Sequence, residues 1–70
     1  MVDKSTKETG KRIRKYRKSC GLSQAALADK AGIPSNTVAR LERGEHQATT
    51  TTLKKLAKVF QVKIDDLIDD

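Results

Sequence analysis

Apolar positions recur at helical spacing along the chain, and no stretch keeps the two-residue alternation of a strand. Ile13, Tyr16 and Cys20 fall at i, i+3 and i+7 between rows of Lys and Arg. That pattern predicts a first helix with one apolar stripe, Cys20 being counted in it as a small buried residue. Ser5 and Glu8, three apart, have the spacing of a capping box that would open this helix, and Gly21 would end it in a left-handed turn. Gly10 lowers the helicity of its first turns. Ser23 is a good N-cap for a second helix running to about Ala31, with Leu27, Ala28 and Ala31 facing inward. Gly32 breaks it, and Ile33-Pro34 leads into a third helix whose inward pair is Val38 and Leu41 and whose end is Gly44. The threonine run at 49–52 supplies caps for a fourth helix, amphipathic through Leu53, Leu56, Ala57 and Phe60. Val62, Ile64, Leu67 and Ile68 continue into a short fifth helix. The expected fold is all-α: five short helices around one core, with residues 1–7 as an N-terminal arm and 8–68 as the folded domain.

The stretch 24–43 is the most informative. Two short helices joined by a tight turn must approach closely, which asks for a small residue facing the turn and a position that tolerates positive φ. Ala28 and Gly32 provide these, and Leu27, Ala31, Ile33, Val38 and Leu41 face inward on either side. Such spacing is what a helix-turn-helix formed by helices 2 and 3 demands. A plain helical hairpin would account for the apolar positions but not for the Ala and Gly at the turn. With Val38 and Leu41 buried, the third helix shows Ser35, Asn36, Ala39, Arg40 and Arg43 to solvent. A merely solvated face would carry Glu and Lys pairs, whereas these five include no carboxylate. Asn can pair bidentately with adenine, Arg with guanine, and the Ala methyl can meet the thymine methyl, all in the major groove.

Charge sharpens this picture. The formal net charge is +6, and residues 1–20 carry eight basic and two acidic side chains. Residues 45–70 carry four basic against five acidic, with Asp65, Asp66, Asp69 and Asp70 making the tail acidic and solubilising. A basic patch is the footprint expected for phosphate, although charge runs are often only solvated faces. Seventy residues make one domain with room for one small core. No apolar run approaches the roughly 18 residues that span a bilayer, and the charged, polar N-terminus has no secretory h-region. The single cysteine excludes an internal disulfide and suits a reducing cytosol, so a cytoplasmic, nucleoid-associated location is expected. Two aromatic residues are too few for a stacking platform on single strands. His46, the lone histidine, lies in a loop with Glu45 and Gln47, where it is solvated or touches a phosphate; no second His and no Cys pair is present to share a metal. No enzyme signature, cofactor motif or catalytic carboxylate pair is found.

The series Gly10, Ile13-Arg14, Arg17, Gly21-Leu22-Ser23-Gln24, Leu27-Ala28 and Gly32-Ile33 resembles the lambda-repressor-like, Cro/XRE-type helix-turn-helix family. Thr37-Val38, Leu41-Glu42, Gly44 and Leu53 with Leu56-Ala57 extend the likeness over residues 8–68. The resemblance implies a compact five-helix domain and sequence-specific binding of operator DNA, usually as a symmetric dimer. It implies base-reading roles for Ser35, Asn36 and Arg40, and a phosphate contact for Thr37. Gln24 would touch the phosphate backbone or brace the recognition helix. Arg17 and Glu42 match the family's internal ion pair between the first and third helices. The chain departs from the family at Ala48, Thr49 and Thr50, where Pro, a small residue and an aliphatic are common. Pro34 removes one N–H that could have met a phosphate.

The resulting expectation is a transcriptional regulator, most simply a repressor, that reads double-stranded DNA with residues 35–43. Ser35, Asn36, Ala39 and Arg40 would read bases, while Gln24, Thr37, Arg43, Lys4 and Lys7 would meet the backbone. Useful affinity implies a homodimer on a two-fold site, with Leu67 and Ile68 the expected self-contact. Two rivals stand beside it: an antitoxin or locus controller that also binds a protein partner, and a protein-interaction module that has lost DNA binding. A membrane-active basic helix is the most distant, since the first helix has few bulky apolar residues.

Overall fold

A computed structural model describes residues 4–68, with side chains from residue 6 onward. Its helices are α1 (Lys4–Ser19), α2 (Gln24–Ala31), α3 (Ser35–Glu42) and α4 (Thr50–Phe60), followed by a single 3-10 turn at Ile64–Asp66. The described residues are therefore all-helical but hold four α-helices, not the expected five. Starting a helix fixes several dihedrals for one hydrogen bond. Here the Asp66 carboxylate turns back to accept the Lys63 N–H at 3.1 Å, and the chain stops after one tight turn.

Helix starts follow local chemistry. The Ser23 hydroxyl accepts the Ala26 N–H at 3.0 Å, and the Thr49 hydroxyl accepts the Thr52 N–H at 3.2 Å. The Ser5–Glu8 capping box is not at a helix start, because α1 already includes Lys4. Lys4 is a good helix former and gives no reason for the helix to wait until Ser5. Residues 4–7, assigned to the arm from sequence, are thus helical, while residues 1–3 lie outside the described residues.

All four helices stop the same way. The N–H groups of Leu22, Ile33, Glu45 and Val62 reach back to the carbonyls of Arg17, Ala28, Arg40 and Ala57 at 3.0–3.1 Å. This closure needs a residue of positive φ just past the helix. Glycine supplies it three times; after α4 it is Gln61, at φ 59° and ψ 43°.

The core gathers one stripe from each helix. Ile13, Leu27, Val38 and Leu56 are fully buried, with Leu41, Leu53 and Phe60 around them. Helix α3 packs against both α1 and α2, and α4 closes the body against α2 while touching α1 and the 3-10 turn. Tyr16 and Phe60 stack with ring centroids 5.7 Å apart, which pins α1 to α4. Two expectations fail at the edges of this core. Cys20 is exposed, because α1 ends at Ser19 and leaves it in the surface turn that reverses the chain. Leu67, expected on the surface as a self-contact, is fully buried: the tight turn swings it into the core and leaves Ile68 half-buried.

One crossing has no slack. A Cβ on Gly10 would fall on the Leu41 carbonyl oxygen and lie 3.2 Å from that of Glu42. Helix α1 therefore meets the end of α3 backbone to backbone.

Candidate nucleic-acid interface

Residues 32–34 join α2 to α3. Gly32 takes φ 71° and ψ 36°, and the Ile33 N–H donates to the Ala28 carbonyl at 3.0 Å, reversing the chain within three residues. Pro34 occupies the N-cap of α3 in extended geometry and offers no side-chain cap. The first N–H groups of α3 consequently have no side-chain partner from that cap and stand at the helix end where an anion is favoured.

Helix α3 buries Val38 and Leu41 and turns the rest outward. Ser35, Asn36, Arg40 and Arg43 are exposed; Thr37 and Ala39 are half-buried on the flanks. The five residues assigned to its outward face thus fall on one side of α3, Ala39 being half-buried.

What holds this surface in place is one carboxylate. Arg17 Nε donates to Glu42 Oε2 at 2.6 Å and Nη2 to Oε1 at 3.0 Å, a bidentate pair whose side chains are only 12% and 3% exposed. The remaining Arg17 nitrogen, Nη1, donates to the Leu22 carbonyl at 2.8 Å, and Gln24 Nε2 donates to Glu42 Oε1 at 3.1 Å. Hydrogen bonding to Glu42 raises the Arg17 pKa above its ordinary value, against the opposing effect of burial. The carboxylate at the last position of α3 thereby ties together the end of α1, the turn after it and the start of α2. Gln24 is half-buried, and its amide braces α3.

The remaining candidates are less uniform. Lys7 is exposed, and its aliphatic stem lies over Gly44, beside the end of α3. Arg43 is engaged by Glu45, Nε to Oε2 at 2.7 Å, in a pair with both side chains more than half exposed. That contact was not read from the sequence; its signal is a carboxylate two residues on across a tight glycine turn. A pair this exposed is worth about 0–1 kcal/mol, so a phosphate can displace Glu45. The role of Gly10 was also missed, since a glycine in a helix signals lost helicity before it signals a crossing. The side chain of Lys4 and the tail carboxylates Asp69 and Asp70 lie outside the described residues. Among the described residues no helix is long and apolar enough to cross a membrane.

A helix-turn-helix family matches residues 13–67, the span from the buried Ile13 to the buried Leu67. The chain belongs to this family. Over 56 residues it is 38% identical to an uncharacterized HTH-type transcriptional regulator of Archaeoglobus fulgidus, covering 80% of each chain. Among solved structures it is similar to the restriction-modification controller protein C.AhdI of Aeromonas hydrophila, with a TM-score of 0.85 and 31% identity over 89% of this chain and 94% of that one. It is also similar to SinR, the master regulator for biofilm formation, solved in complex with DNA. That match has a TM-score of 0.82 and 33% identity over 84% of this chain and 95% of the other. SinR has been solved with the protein SinI as well, and there this chain covers 61% of the matched chain.

Proposed function

We propose that this chain is a sequence-specific double-stranded-DNA-binding transcriptional regulator, acting as a repressor, that lays α3 in the major groove. Ser35, Asn36, Ala39 and Arg40 read base edges, while Thr37, Arg43, Lys7, Lys4 and the start of α2 at Gln24 follow the phosphates. The observation that carries this reading is the exposed, carboxylate-free face of α3, held rigidly by the Glu42 junction. A site kept on rigid elements can place a bidentate Asn or Arg where a base edge demands it. Membership of a family whose relatives are transcriptional regulators supports the same reading, and supports a role without catalysis.

One copy covers little DNA, so two copies bind a two-fold operator with half-sites about one helical turn apart. The regulator works in the cytoplasm, on the nucleoid. A protein partner is a second reading, favoured by the solved complex of SinR with SinI.

Selection of the purified protein against random duplexes at two salt concentrations tests the proposal. Enrichment of an inverted repeat is expected. Asn36→Ala on the enriched site should relax preference at one position per half-site and cost about 1–3 kcal/mol of discrimination. Binding without enrichment, or none at low salt, would overturn the DNA-reading role in favour of a protein-interaction module.

A further inference from the structure

Among the described side chains of α1, the exposed ones are Lys7, Lys11, Arg14, Lys15, Lys18 and Ser19, so all but the last are cations. At 3.6 residues per turn these cations fall within roughly a 100° arc and extend about 16 Å along the axis. Lys7 and Lys11, Lys11 and Lys15, and Arg14 and Lys18 are each four apart, a spacing at which like charges repel and weaken a helix. A face that met only water would gain by mixing signs, as Glu8 and Lys11 do at 3.6 Å. One exposed pair of that kind leaves most of the row uncompensated, so α1 is less stable than it would be with an anion against this face.

The row has a definite place in the fold. At one end the Lys7 stem lies over Gly44, next to Arg43. At the other, Lys18 follows Arg17, whose Nη1 donates to the Leu22 carbonyl in the turn before Gln24. Both ends thus border residues proposed to follow the phosphates. Gly10 and Arg17, which meet α3, lie roughly a quarter-turn of α1 away from the centre of the row. The row therefore stands beside the outward face of α3 and not on it. We propose, on the basis of the DNA-reading role, that Lys11, Arg14, Lys15 and Lys18 bind the phosphate backbone of the duplex flanking the half-site that α3 reads. Each strand of a duplex carries one phosphate per about 3.4 Å of axis, so a row of about 16 Å faces about five of them. Continuity with Lys7 and Arg43 at one end and Gln24 at the other puts those phosphates on the duplex already engaged. The row binds backbone and reads no base, so it adds affinity and salt dependence without sequence preference.

The test uses the operator enriched by selection in two lengths, one ending at the inverted repeat and one extended by about one helical turn on each side. Part of any gain on extension comes from the duplex alone, so the readout is the part lost by a variant carrying Lys11→Gln, Arg14→Gln, Lys15→Gln and Lys18→Gln. On the long duplex at low salt the wild type is expected to bind at least about tenfold more tightly than this variant, with a logarithmic salt slope steeper by about 2–4 per copy. On the short duplex the two should agree within about threefold. Relieved of like-charge repulsion, the variant should unfold at an equal or higher urea concentration, which shows that it folds. Lys54→Gln with Lys55→Gln and Lys58→Gln removes three exposed cations of α4 and should keep the gain, which separates placement from net charge. Equal gain in the wild type and the α1 variant would overturn the proposal and leave the row to an acidic protein. A loss of equal size on both lengths, or the same loss in the α4 variant, would overturn it as well. Tight binding to the short duplex without an α1-dependent gain leaves the DNA-reading role standing, whereas the absence of any enriched operator removes both, so the two failures are distinguishable.

Discussion

The Glu42 carboxylate accepts from Arg17 at two points and from Gln24 at a third, so its loss and the loss of Arg17 should not look alike. Arg17→Met leaves a nearly buried carboxylate with one amide partner. Breaking a fully buried pair costs roughly 3–5 kcal/mol; this one lies close enough to water for screening to lower that to about 2–3. Arg17→Met with Glu42→Met removes both charges and should recover at least half of the loss, read from urea unfolding midpoints. Because hydrogen bonding raises the Arg17 pKa, the arginine's share of the pair's contribution is in place below its ordinary value and is lost as pH rises through the raised one. From sequence, the pairing of Arg17 with Glu42 was legible only through the family resemblance, because nothing local joins two residues 25 apart. The Gln24 bond was legible only as one of two options, because an amide serves a phosphate or a carboxylate equally well. At Arg43 a phosphate contact was expected from sequence, and the neighbouring Glu45 was not.

Between elements, the decisive features are stops and crossings. Three helix stops announce themselves as glycines, whereas Gln61 adopts the same left-handed geometry without any compositional sign. Holding a side chain there costs about 1 kcal/mol, and Gln61 is exposed, so nothing packed is lost by removing it. Gln61→Gly is therefore expected to stabilise the chain by about 0.5–1 kcal/mol, measured as a rise in the thermal midpoint. Gly10→Ala tests the crossing of α1 and α3. In an isolated helix the change would gain stability, but here the new methyl meets the Leu41 carbonyl. Prising the helices apart should cost about 1–3 kcal/mol, with α3 amide shifts moving more than those of α4. The helix that failed to form after α4 belongs to this scale too. Its apolar spacing was real, yet spacing cannot say whether the Asp66 carboxylate will close the turn early.

Across the whole molecule, charge and burial divide the labour. The basic side chains of the first twenty residues are concentrated on α1, and Lys7 lies beside the end of α3. DNA affinity should fall linearly with salt on logarithmic axes, and Lys7→Ala and Arg43→Ala should each reduce the slope by about 1 per copy. A slope unchanged in both variants would remove them from the phosphate footprint. The sequence by itself determined what is local: the caps at Ser23 and Thr49, the glycine turns, the apolar stripes and the residues α3 turns outward. These follow from hydrogen bonds and periodicities spanning a few residues, so the chain carries them wherever it folds. Tertiary structure alone decided that Leu67 is core and that Gly10 is a crossing. Each depends on which distant segment arrives against it, and burial is a property of that meeting, not of the residue.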